Sequence, residues 1–200
     1  MSKEFLDPRD IKSKTLAELR EELGTLGLPK YRADQVYSWL HRGVTDFSQM
    51  SNLSKALRED LAQRYTIAWA EIRQKQVSKD GTVKYLFRLP DGEHVESVLM
   101  RYHHGTSICI STQVGCKMNC SFCATGKSGF SRNLSASEIL SQVQAASLDE
   151  GERISHIVLM GMGEPLDNYQ NVLRFLELVT SQEGLNLSMR HISLSTCGLV

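Results

Sequence analysis

The sequence predicts an α/β fold, part of a barrel of parallel strand–helix units preceded by a small helical domain and a β-hairpin. Three observations carry this. Apolar residues recur at helical spacing up to about residue 64, two short alternating runs then flank a Pro-Asp-Gly turn, and from residue 107 strand-like and helix-like segments alternate. Such alternation marks parallel βα units, whose functional loops lie at the C-terminal strand ends.

Thr15-Leu16-Ala17-Glu18 has the form of a capping box, with Leu16, Leu19, Leu23 and Leu26 following at helical spacing. Gly24, Gly27 and Pro29 punctuate the chain. A second helix is expected over 33–41, burying Val36, Trp39 and Leu40, and a third over 54–64, with Leu53, Leu57 and Leu61 on one face. Strands over 83–87 and 94–100 are separated by Pro90-Asp91-Gly92. A buried strand over 107–112 feeds a cysteine-rich loop. Ser135-Ala136-Ser137-Glu138 is a second capping box, opening a helix to about 148. An apolar strand over 154–160 runs into a glycine-rich turn, a helix carrying Val172, Leu173, Leu176 and Val179 follows, and a third strand covers 191–196. The expected division is 1–95, helical with the hairpin, and 96–200, the strand–helix core. Three parallel strands with two helices leave an edge open. The expectation is therefore a barrel truncated after its third strand, with a compact three-stranded domain as the alternative.

Hydrophobic residues make up 41% and charged residues 23%, ordinary values for a globular protein. The 23 basic and 23 acidic residues cancel, so a nucleic-acid site would have to be a local patch. The longest apolar runs, such as residues 157–160, are too short to cross a bilayer. With no leader or anchor in view, the expected compartment is the cytoplasm, where thiols stay reduced.

The most informative segment is Gly115-Cys116-Lys117-Met118-Asn119-Cys120-Ser121-Phe122-Cys123. Its C-x3-C-x2-C spacing places three thiols in one short loop with no fourth cysteine nearby. A ferredoxin-type cluster closes itself with four cysteines, whereas three leave one iron of a cubane open to a substrate. Structural zinc fits poorly: it wants four ligands, and the only close histidines, His103 and His104, lie a dozen residues upstream. A disulfide framework does not suit five cysteines. Three cysteines among glycine and polar residues do not resemble a packed core.

Gly161-Met162-Gly163-Glu164-Pro165-Leu166 falls short of a dinucleotide fingerprint, because Leu166 stands where the third glycine belongs and Pro165 interrupts the turn. Its glycines admit close approach of a small ligand, and Glu164 can accept hydrogen bonds from an ammonium group. A plain β-to-α turn with a solvated glutamate is the alternative. By spacing alone Glu96 reads as an exposed strand glutamate and Cys109 as a packing cysteine. Lys127 and Arg132, beside the cysteine loop, are candidates for RNA phosphate contacts or for plain solvated surface.

The cysteine loop, the run Gly126 to Leu134, the Gly161–Leu166 turn and Ser193-Leu194-Ser195-Thr196-Cys197-Gly198 together resemble the radical S-adenosylmethionine enzymes. More narrowly, Phe130-Ser131-Arg132-Asn133-Leu134 and the N-terminal run Tyr31 to Leu40 resemble the dual-specificity adenine-C2 methyltransferases of 23S rRNA and tRNA. That resemblance implies a partial radical SAM barrel. Cys116, Cys120 and Cys123 would hold a [4Fe-4S] cluster whose open iron chelates S-adenosylmethionine, which reduction cleaves to a 5′-deoxyadenosyl radical. It also implies that Gly163, Glu164 and Ser195 bind S-adenosylmethionine, that Glu96 accepts a proton, and that Cys109 resolves a covalent RNA–protein intermediate through a transient disulfide. Cys197 has no counterpart in that scheme and reads as a packing residue. The implied partners are 23S rRNA, tRNA and a reductant such as flavodoxin or ferredoxin. The methyl-carrying cysteine of that family lies beyond these 200 residues, so the chain alone is expected not to complete a methylation. The adenine-C8 rRNA methyltransferases that confer antibiotic resistance, an iron–sulfur electron carrier and a zinc RNA-binding module are the competing readings.

Overall fold

The computed structural model describes residues 9–199; residues 1–8 and 200 of the two expected segments lie outside it. Three helices come first: α1 (Leu16–Thr25), α2 (Lys30–His41) and α3 (Lys55–Arg64). Three strands follow, β1 (Glu71–Val77), β2 (Val83–Arg88) and β3 (His94–Tyr102). The remainder runs β4 (Gly105–Cys109), β5 (Gln113–Gly115), the short α4 (Ala124–Lys127), β6 (Phe130–Asn133), α5 (Ala136–Glu150), β7 (Ile154–Leu159), α6 (Tyr169–Thr180) and β8 (Ile192–Leu194).

Six strands make one mixed sheet in the order β1-β2-β3-β4-β7-β8. The first three pairings are antiparallel, and β4, β7 and β8 are parallel, as the helical crossovers require. β5 and β6 form a separate antiparallel pair. The hairpin therefore does not stand apart from the parallel part: β2 and β3 extend the same sheet, and the division drawn between residues 95 and 96 falls inside β3.

Both capping boxes form, Thr15 with Glu18 and Ser135 with Glu138. α2 begins one turn before the expected residue 33, directly after Pro29. Its first turn is polar and exposed, so apolar spacing could not reveal it. The apolar pattern does not announce β1, because six of its seven residues are exposed on an edge strand, held by backbone pairing with β2. β4 ends at Cys109 rather than at 112. The N–H groups of Thr112 and Gln113 turn to the Met162 carbonyl at 2.8 and 3.2 Å, and the chain leaves the ladder there.

Helix α5 is buried from Ala136 to Ala146. Gln144 Nε2 donates to the Leu40 and His41 carbonyls at the end of α2, at 2.9 and 3.1 Å. Lys12 is 1% exposed, donates from Nζ to Ser141 Oγ at 2.6 Å, and lies 4.5 Å from the centre of the Trp69 ring. Burial lowers its pKa to about 7, against the opposing pull of Asp10.

Candidate functional site

The cysteine loop leaves β5 through Gly115, whose φ is +76°. A Cβ there would stand 1.9 Å from the Gly129 carbonyl oxygen, and that same carbonyl accepts the Cys116 N–H at 2.9 Å. The base of the loop is thus pinched shut by a contact only glycine permits. Gly115→Ala is expected to cost at least about 2 kcal/mol, because strain at positive φ adds to a backbone clash; a urea midpoint equal to the parent's would contradict this. Inside the loop Asn119 takes the left-handed conformation that asparagine tolerates, and Cys123 N–H donates to the Cys120 carbonyl at 3.0 Å.

Cys116, Cys120 and Cys123 are half-buried free thiols. Cys123 immediately precedes α4. The Gly126 N–H, working against burial and helped by the Thr125 N–H and hydroxyl, holds its thiol below the ordinary value, which favours thiolate. Three accessible soft donors on a closed loop suit iron–sulfur ligation. Among the described residues no three Cys, His, Asp or Glu side chains stand at metal-holding separations. The fit therefore rests on donor type and loop closure rather than on a formed coordination sphere.

The glycine-rich turn lies at the end of β7. Gly163 has φ +102°, and a Cβ there would meet the Gln113 side chain at 2.6 Å. Glu164 is 4% exposed. Its Oε1 accepts the Leu166 N–H at 2.9 Å and its Oε2 accepts the Cys197 N–H at 2.7 Å. Burial pushes its pKa up, but the Cys197 and Leu166 N–H groups and the Thr196 hydroxyl outweigh that and leave it below the usual carboxylate range. Glu164 is thus a buried anion tied to the chain beyond β8, not a solvated turn residue, and it keeps lone pairs for a further donor. Ser195 is exposed just past β8, its N–H 3.4 Å from the Leu159 carbonyl.

Cys197 does not pack. It is exposed, and hydrogen bonding to Glu164, with the Glu164 and Cys120 charges also contributing, pushes its thiol up. The position beside the Glu164 carboxylate leaves its side chain at the surface of the site. Arg132 corrects a second expectation: it is 4% exposed, so neither phosphate contact nor solvation describes it. Its guanidinium holds Glu138 through two bonds, at 2.8 and 2.9 Å, and Asp91 at 2.6 Å, clamping the β2–β3 turn to the start of α5. Lys127 is exposed.

Glu96 and Cys109 share one face of the sheet. Glu96 lies two residues before Val98, which stands opposite Cys109, which in turn stands beside Val158 and thus Ser193. Glu96 is exposed and paired with Lys84 at 2.7 Å. Burial raises the Cys109 thiol, partly offset by the Met160 N–H. The Ser111 hydroxyl donates to the Glu96 carbonyl at 2.6 Å and accepts the Met162 N–H at 2.9 Å, joining the strand of Glu96 to the glycine-rich turn. Residues that spacing did not single out, Gln113, Lys117, Asn133 and Asp167, form a hydrogen-bonded group between that turn and the cysteine loop. The one hint in sequence is a lone amide just ahead of Gly115-Cys116.

Residues 10–67 match the family model for the ribosomal RNA large subunit methyltransferase N-terminal domain, and residues 110–200 match that for the radical SAM superfamily. A probable dual-specificity RNA methyltransferase RlmN from Lachnoclostridium phytofermentans is 52% identical over 96% of this chain and 54% of its own length. One of the same name from Geobacillus kaustophilus is 49% identical over 95% and 53%. The crystal structure of a radical SAM methyltransferase from Sphaerobacter thermophilus superposes with a TM-score of 0.89 at 44% identity, covering 96% of this chain and 58% of that one. The chain spans about half the length of the curated relatives it matches. Both matches fall on the segments just described: the strand–helix part is similar to the radical SAM superfamily, and the helices ahead of it are similar to the N-terminal domain of the ribosomal RNA large subunit methyltransferases.

Proposed function

We propose that the protein carrying this chain is a radical S-adenosylmethionine RNA methyltransferase that methylates carbon 2 of adenosine in 23S rRNA and in tRNA. The observation that carries the reading is the joint placement of a closed three-cysteine loop and a buried, ionised Glu164 in a glycine-rich turn, linked through Gln113. A [4Fe-4S] cluster on Cys116, Cys120 and Cys123 would supply an open iron for S-adenosylmethionine and the electron that cleaves it. Gly163, which packs against Gln113 more closely than any side chain would allow, would border the methionine end, and Glu164 offers its remaining lone pairs to the ammonium. Ser195 borders the same ligand. Glu96, on the open sheet face, takes the proton from the reacting base, and Cys109 serves as the resolving thiol against a methyl-carrying cysteine supplied by the longer protein. A flavodoxin or ferredoxin serves as reductant, and the protein works in the cytoplasm. No helix among the described residues is long and apolar enough to cross a membrane.

The test has two parts. Anaerobic reconstitution of this chain should yield about four irons and a paramagnetic resonance spectrum that changes on adding S-adenosylmethionine. Replacing Cys116, Cys120 and Cys123 with alanine together should abolish both. A colourless parent holding one zinc would overturn the cluster reading. For the protein at its relatives' length, mass spectrometry of treated RNA should detect 2-methyladenosine; 8-methyladenosine instead would reassign the target carbon.

A further inference from the structure

Gln113 sits on β5, three residues before Cys116, and is 0% exposed. Its Oε1 accepts the Glu164 N–H at 2.8 Å, while its Nε2 donates to Asp167 Oδ2 and to Asn133 Oδ1, both at 2.7 Å. Both hydrogens and the acceptor are in use, which leaves the amide one orientation. Reversed, it would set an NH2 against an N–H and an oxygen against two acceptors. Asp167 Oδ2 also accepts Lys117 Nζ at 2.8 Å, and that ammonium lies 4.3 Å from the centre of the Phe130 ring. Lys117 directly follows Cys116. A continuous polar path therefore runs from the Glu164 backbone through the Gln113 amide and the Asp167 carboxylate to the cysteine loop. The backbone repeats the link, since the Gln113 N–H donates to the Met162 carbonyl at 3.2 Å.

We propose that Gln113 is a positioning residue that couples the glycine-rich turn to the cysteine loop, so that seating of S-adenosylmethionine at Glu164 and the placement of Cys116 depend on one another. This rests on the function proposed above. A buried position serving only to fill space would accept leucine; here leucine would strand the Glu164 N–H and remove the donor that shares Asp167 with Lys117. Glutamate would keep the acceptor for Glu164 but turn a second carboxylate on Asp167.

The experiment combines amide hydrogen exchange of the cluster-free chain with S-adenosylmethionine binding by the reconstituted chain, for the parent, Gln113→Leu and Asp167→Asn. Gln113→Leu should speed exchange about tenfold in both 161–164 and 116–118 and weaken binding about tenfold. Asp167→Asn alters a side chain that bonds neither Glu164 nor a thiol, and it leaves in place the backbone bond from the Asp167 N–H to the Glu164 carbonyl at 3.1 Å. It should speed exchange only in 116–118 and still weaken binding, and it serves as the test should Gln113→Leu fail to fold. The coupling is overturned if Gln113→Leu loosens 161–164 alone, or if Asp167→Asn loosens 116–118 while binding is unchanged. A parent that shows the exchange pattern but binds no S-adenosylmethionine would reject the functional reading and keep the mechanical link between turn and loop.

Discussion

Arg132→Met is expected to destabilise the protein by roughly 3–5 kcal/mol, the usual cost of removing one partner from a buried ion pair. Glu138 is 2% exposed and is also the N3 residue of the α5 capping box, where its Oε2 accepts the Ser135 N–H at 2.9 Å. Without the guanidinium, that carboxylate stays buried with the bidentate half of its partners gone. Burial works to lower the Arg132 pKa, but bonds to Glu138 and Asp91 outweigh it and raise it, so the cation persists at any working pH. Asp91 gives the pH signature. Burial pushes its pKa up, yet the Arg132 bond and the Glu93 N–H leave it depressed. A depressed carboxylate contributes stability that is present above its unfolded pKa and is lost as pH falls through the folded one. Arg132→Met should therefore unfold at lower urea at neutral pH, and the gap to the parent should narrow as acid removes the Asp91 contribution. Arg132→Lys should recover only part of the loss, because an ammonium cannot reproduce the two-pronged contact. A loss below about 1 kcal/mol for methionine would place Arg132 among surface pairs and return it to consideration as a phosphate ligand.

Lys12→Met should act in the opposite direction. The buried amine titrates near 7 in the folded chain against 10.5 for the free side chain, burial being the main cause. Between those values the unfolded chain binds a proton that the folded chain does not, so stability rises with pH across that window. Below it both states are protonated and the full penalty, several kcal/mol at about 1.4 kcal/mol per unit, is in force. Methionine fills a similar volume without needing charge. It gives up the bond to Ser141 Oγ and the contact with Trp69, while Ser141 Oγ still donates to the Ser137 carbonyl at 2.7 Å. Asp10 loses a nearby cation but keeps bonds from the Ser13 and Ser137 hydroxyls and the Ala68 N–H, so the expected net effect at pH 7 is a gain of roughly 1–3 kcal/mol from the removed desolvation penalty, together with a flatter stability curve from pH 7 to 10. Urea titrations of parent and variant across that range check both, and their difference cancels the thiols common to the two. Equal slopes would mean that Lys12 titrates normally.

What the sequence reveals and what it hides divide along one physical line, the distance over which a pattern is written. Thr15 with Glu18 and Ser135 with Glu138 are three residues apart, and both caps form where expected. The cysteine spacing is equally local, and its loop stands where a parallel strand–helix fold places functional loops. The path from Glu164 through Gln113 and Asp167 to Lys117 spans residues some fifty apart, with nothing periodic to announce it. Arg132 reads as a free cation because one partner, Asp91, lies 41 residues back, in a turn that only folding brings near. Cys197 reads as a packing residue because it has no counterpart in the scheme the resemblance implies; the chain past β8 instead follows the carboxylate of Glu164 and leaves the thiol outside. β1 is hidden from side-chain alternation because its information is in backbone pairing.

Helix α5 has a consequence for cooperativity. Along its length it grips the N-terminal segment through Ser141 and Gln144, the β2–β3 turn through Glu138 and Arg132, and the middle of β3 and the segment just after β4 through Gln142, whose Oε1 accepts from Ser97 Oγ and the Ser111 N–H at 2.8 and 2.9 Å. At its far end Asp149 and Glu150 take the Tyr85 hydroxyl of β2. Opening any of these joints exposes part of a helix whose first eleven residues are buried, so partial unfolding of one region carries the others with it. The N-terminal helices and the sheet, separate on the page as stretches of sequence, are one thermodynamic unit with α5 as its shared spine.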